Sequence, residues 1–193
     1  KKIGGAGLRG QSAGETSICT VGVSGSGLTY RGFDIVDLAE NTTFEEVAYL
    51  LLKGKLPNSQ ELKAYIEKLK TLRGLQPELR STLEGIPKTA HPMDVLRTGC
   101  SVLGNLEQEE GFINQTDHAD RMLSAFPSIL SYWYQYSHYG KRIDTETSDD
   151  TIGGHFLHLL HGKKPSQLHD QVMSISLILY AEHEFNASTF AAR

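Results

Sequence analysis

The sequence predicts a mainly α-helical body preceded by a small β-hairpin. Three observations point there. From Gly32 onward, apolar residues recur at three- and four-residue intervals, the spacing of a buried helix face. Two polar residues, Thr43 and Asn58, each stand three positions before a glutamate at the head of such a run, the spacing of a capping box. Residues 1–32 instead are rich in Gly, Ser and Thr and contain short β-prone runs.

Ser17 to Val23 and Leu28 to Arg31 are the two β-prone runs, and Ser24-Gly25-Ser26-Gly27 between them predicts the turn. Phe33 to Ala39 predicts a first short amphipathic helix. Thr43 to Glu46 opens a second through Leu52, which Gly54 stops. Asn58 to Glu61 opens a third towards Arg73, with Leu62, Tyr65, Ile66, Leu69 and Leu72 on one face. Pro77 suits the first turn of a short helix ending at Glu84. His91-Pro92-Met93-Asp94 opens another, to about Leu103. Asp117 to Tyr139 predicts a long helix, with a kink or break at Pro127. Asp149-Asp150 begins a helix that Gly162 ends, and Ser166 caps a last one that extends to about Glu184.

The chain has 193 residues, 39% hydrophobic and 22% charged, enough for one sizeable core. A net charge of -4 argues against a protein built to hold nucleic acid. Cys19 and Cys100 form no C-x-x-C pair and read as reduced, structural thiols of a cytoplasmic protein. The longest apolar run, Val172 to Ala181, is too short to span a bilayer, so no membrane partner is expected. The chain does not open on Met, which suggests that residues precede it.

Two stretches could carry chemistry. His155, His158 and His161 recur three apart and could share a metal. No acidic or cysteine partner has matching local spacing, so the favoured reading is an interhelical surface, with no metal expected. The second stretch is the end of the last helix, where an apolar run meets Glu182-His183-Glu184-Phe185-Asn186-Ala187-Ser188-Thr189. Burying charge is costly without partners, so polar groups delivered by a core helix are candidates for a pocket. There His183 could hold a carboxylate or carbonyl oxygen. The alternative is that Glu182 and Glu184 are solvated and His183 caps the helix carbonyls.

At this stretch the sequence resembles the citrate synthase family. The ordered matches are Gly7-Leu8-Arg9-Gly10, Gly14 to Cys19, Leu28 to Ile35, Phe44 to Leu51, His91 to Gly99 and Ala181 to Phe190. The resemblance implies a citrate-synthase-like helical large domain, of which residues 33–193 are part. Residues 1–32 would form an arm and hairpin, and the chain would be truncated before the small domain. It also implies an acyltransferase that condenses an acyl-CoA with oxaloacetate as a homodimer, with no bound cofactor and with the CoA thioester as substrate. His183 matches the family's oxaloacetate-holding histidine, and Asn186 lies beside it. Arg9 resembles an N-terminal arginine that reaches the CoA phosphates across the dimer.

The segments Thr151 to Ser166 and Tyr132 to His138 resemble those of bacterial 2-methylcitrate synthases, which use propionyl-CoA in propionate breakdown. Citrate-forming members more often carry Asn where this chain has His155. An acetyl-CoA-using citrate synthase is therefore the alternative. Tyr180, read as one helical turn before His183, is either a residue that selects the acyl chain or a plain core aromatic. In the family, an Asp removes the proton next to the thioester while a neutral His donates to the forming enol oxygen. Those groups have no match here and would lie beyond Arg193, so the chain alone is expected to be inactive. The readings from other classes are a catalytically incomplete, dimerising fragment and a purely structural helical protein.

Overall fold

The computed structural model describes residues 14–22, 27–108 and 114–192. Strand β1 (Cys19–Val21) pairs antiparallel with β2 (Leu28–Tyr30), placing Cys19 opposite Tyr30. The turn residues 23–26 lie outside the described residues. The sheet has a third strand that the periodicity did not suggest. Phe33 and Asp34 form β3, antiparallel to β2, so the first helix starts later than expected, as α1 (Ile35–Asn41). Asp34 explains the shift: its carboxylate accepts the Val36 N–H at 2.8 Å, which makes it the N-cap.

Helices α2 (Phe44–Lys53) and α3 (Ser59–Thr71) both start with the capping boxes read from the sequence, at Thr43/Glu46 and Asn58/Glu61. Gly54 ends α2 in the left-handed conformation, at φ 83°. Helix α4 (Pro77–Glu84) has its proline in the first turn. Helix α5 (Pro92–Leu106) runs past the expected end at Leu103. Helix α6 (Gln115–Tyr139) is continuous through Pro127, where a break had been one expectation. Its buried face, Ala125, Ile129, Tyr132 and Trp133, spans the proline, so tertiary packing sustains the helix across one missing donor. Gly99 of α5 lets the two helices approach, because a Cβ there would meet Ile129 Cγ2 at 2.7 Å.

Helix α7 (Ile152–His161) begins after the expected Asp149-Asp150, since Thr151 takes the capping role by accepting the Gly154 N–H at 2.8 Å. Helix α8 (Gln167–Tyr180) is capped by Ser166 but stops at Tyr180 rather than near Glu184, and a short α9 (Ala187–Ala192) follows. Within this chain, helix α8 is less buried than its apolar sequence implies. Ile178 is its only fully buried residue, while Leu168, Val172, Leu179 and Tyr180 are exposed.

Among the described residues, two hydrophobic clusters hold the body together. One joins the sheet, α2 and α3 to α7 and α8 through residues such as Tyr30, Leu50, Leu69, Ile152 and Ile178. The other joins α4, α5 and α6 around Leu79, Leu83, Ile129 and Trp133. Among the described residues, no helix is long and apolar enough to cross a membrane.

Candidate functional site

The corner after α8 is held by the sheet, which lies far away in sequence. Tyr30 is fully buried. Its hydroxyl shares its proton between the Ile178 and Glu182 carbonyl oxygens, 2.9 and 3.1 Å away, and accepts the Glu182 N–H at 3.2 Å. Burial raises the Tyr30 phenol above its ordinary pKa, so it stays protonated and can donate. The Tyr30 hydroxyl therefore satisfies the helix-end carbonyl that the sequence reading had offered to His183. On β1, the Val21 N–H donates to Glu184 Oε1 at 3.2 Å. Burial likewise pushes the Cys19 thiol up, partly offset by a backbone hydrogen bond from Glu184.

His183 sits at the outside of this corner and is exposed. Its backbone N–H donates to Glu182 Oε1 at 2.9 Å. The two flanking acids are thus not simply solvated: each carboxylate accepts a backbone N–H, one local and one from the sheet. Asn186 caps α9, accepting the Thr189 N–H through Oδ1 at 2.7 Å. Tyr180 is 85% exposed within this chain. It also ends α8, so helical periodicity does not relate it to His183. Arg9 lies outside the described residues. An apolar cleft of about 440 Å³ reaches Ala181 and Glu182, with Phe44, Leu52, Met122 and Phe126 along its walls. Chemically, the corner presents an imidazole on an anchored backbone, a group that can donate to a carboxylate or ketone oxygen.

The three histidines of α7 do not converge. His155 is buried, with Nε2 3.1 Å from Ser128 Oγ and Nδ1 2.9 Å from Thr147 Oγ1. Burial, and after it the Arg73 charge, lowers its pKa to about 3, so it is neutral. His158 Nδ1 lies 2.7 Å from Asp149 Oδ2, and His161 lines a separate cleft with Lys163 and Lys164. No group of three His, Cys, Asp or Glu residues able to hold a metal occurs among the described residues. Nearby, Arg73 is buried and donates to the Thr147 carbonyl at 2.8 Å, while buried Glu45 accepts the Ile152 N–H at 2.7 Å. These contacts fix the start of α7 against α2, and the segment before α7 against the residues that follow α3.

Tyr30 and Arg31 are the residues of this region that sequence reasoning missed. Both lie inside the quoted Leu28 to Ile35 match, so position within a matched segment was the available signal.

A family model described as citrate synthase, C-terminal domain, matches residues 7–193. The 2-methylcitrate synthase of Shewanella oneidensis is 70% identical over 193 residues, which is 100% of this chain and 52% of that protein. The crystal structure of citrate synthase from Thermotoga maritima superposes with a TM-score of 0.81 at 34% identity, over 96% of this chain and 49% of that one. The ternary complex of carboxymethyl coenzyme A and oxaloacetate with citrate synthase from Thermoplasma acidophilum superposes with a TM-score of 0.86 at 25% identity, with the same coverage of 96% and 49%. The chain spans about half the length of the relatives it matches.

Proposed function

Because the chain belongs to the citrate synthase family, we propose that the full-length protein is a 2-methylcitrate synthase. It condenses propionyl-CoA, oxaloacetate and water to 2-methylcitrate and CoA, in the cytoplasm and in service of propionate breakdown. The observation that carries this reading is the 70% identity to a 2-methylcitrate synthase along the whole chain, against 34% to the Thermotoga citrate synthase. In this reading residues 33–193 supply part of the helical large domain and residues 1–32 its arm and hairpin.

His183 holds oxaloacetate by donating to it, beside Asn186. Tyr180 borders the acyl site and Arg9 reaches CoA phosphates. The base and the enol-stabilising histidine come from the part of the relatives' length that this chain does not span. The chemistry requires no metal or resident cofactor, because CoA arrives as part of the substrate. The test is a comparison of kcat/KM for propionyl-CoA and acetyl-CoA on the full-length protein. Propionyl-CoA is expected to be preferred, and a clear preference for acetyl-CoA would make it a tricarboxylic acid cycle citrate synthase instead.

The same reading makes the protein a homodimer, and α8 supplies a surface for it. Leu168, Val172 and Leu179 form an apolar exposed side on a helix whose other side packs on α1 and α7. Val172→Glu would place a charge in that contact and is expected to turn the full-length dimer into monomer in sedimentation. A variant that stays dimeric would rule out α8 as the contact.

A further inference from the structure

The site corner is held by a clamp whose two arms are consecutive residues, Tyr30 at the end of β2 and Arg31 in the turn that leads to β3. Tyr30 reaches the end of α8, as described above. Arg31 turns the other way: its Nη2 donates to the Leu51 carbonyl at 2.9 Å, near the end of α2, and its backbone N–H donates to the Ile18 carbonyl at 2.7 Å. Two neighbouring side chains thus tie the C-terminal ends of two helices to one hairpin. A third tie, from the Val21 N–H to the Glu184 carboxylate, closes the loop around His183 from the other side.

Backbone conformation marks the same place independently. Among the described residues, the non-glycine residues at positive φ are Arg31, at 51°, and Glu184, at 71°. A left-handed conformation is unfavourable for residues with a Cβ and persists where surrounding contacts enforce it. Here one strained residue lies on each side of the clamp, and each is held by a long-range hydrogen bond of its own side chain. A loop needed only to join α8 to α9 would have no use for this. A loop that must present its central residue in one orientation would.

We infer that Tyr30 and Glu184 are positioning residues that set His183 for oxaloacetate, with Arg31 anchoring the clamp to the helical body. The inference rests on the reading of His183 as the oxaloacetate holder. Neither Tyr30 nor Glu184 need touch the substrate. Their effect is to remove backbone freedom from the loop before binding, so that oxaloacetate meets an ordered imidazole.

The test uses the full-length protein and two variants. Tyr30→Phe keeps the buried ring and removes the hydroxyl that joins β2 to α8. Glu184→Asn keeps a residue that tolerates positive φ but is one methylene too short to reach Val21. Each is expected to raise KM for oxaloacetate about tenfold, with KM for the acyl-CoA at saturating oxaloacetate changed less than twofold. Glu184→Asn should do so without lowering the melting temperature, a split that loss of general stability would not give. If both folded variants keep the wild-type oxaloacetate KM while His183→Ala raises it, the clamp is refuted and the His183 reading stands. If His183→Ala also leaves that KM unchanged, both fall. Should Tyr30→Phe fail to fold, Glu184→Asn decides alone.

Discussion

His183→Ala in the full-length protein is expected to weaken oxaloacetate binding about 100-fold, on the order of 3 kcal/mol for one hydrogen bond to a charged ligand. The imidazole is exposed at a corner whose backbone is fixed by Tyr30 and Glu184, so truncation removes the side chain without disturbing its support. Little stability should be lost, because His183 buries almost nothing within this half of the protein. Titration calorimetry with oxaloacetate alone isolates the effect from chemistry that the other half supplies. A steady-state assay should then show KM for oxaloacetate rising more than kcat falls. Unchanged oxaloacetate affinity in a folded His183→Ala protein would remove the residue from the site. It would also return the corner to the plain alternative of a polar loop at a helix end.

How much of this was legible in the sequence depends on the range of the interaction that decides each feature. The starts of α2 and α3 are set within four residues, by Thr43 with Glu46 and Asn58 with Glu61, and both read correctly. The end of α8 is set by a hydroxyl 148 residues away, and no local pattern announces it. The strand β3 was hidden for a similar reason: Phe33 fits a helical spacing, and only pairing with β2 draws it into the sheet. The apolar sequence of α8 predicts burial inside the chain, yet much of that surface is open here, and apolar pattern alone cannot say which molecule covers a face. At the site, residue types and the family resemblance singled out His183, but not the clamp that orients it, because Tyr30 looks like any aromatic on a strand.

The buried histidine of α7 should impose an acid limit on stability that Asn in its place would lift. Burial holds the folded-state pKa of His155 at about 3, below its ordinary value of 6.5. Between those values the unfolded chain takes up a proton that the folded chain refuses. The stabilisation associated with neutral His155 is therefore complete above pH 6.5 and is lost as pH falls towards 3, by on the order of 5 kcal/mol at the limit. Two neighbours bend the overall profile. Glu45 is raised by burial, so its contribution is present at low pH and is lost as pH rises through its folded pKa, opposing His155. Asp149 is pulled up by burial, but hydrogen bonds from Thr147 and His158 outweigh that and leave it below the usual carboxylate range, so it adds to the acid loss. The wild-type profile alone cannot be assigned to one group, whereas the difference from His155→Asn can. Asn retains a donor and an acceptor for Ser128 and Thr147 but has no proton to gain. Above pH 7 the variant should be somewhat less stable to urea, through imperfect filling of the ring's place. Acidification to pH 4 should erase that gap and then reverse it, since only the wild type loses stability through the imidazole. Parallel stability curves for the two proteins from pH 7 to pH 4 would show that His155 takes up its proton without unfolding cost, and that the Ser128 and Thr147 hydroxyls do not hold a neutral ring.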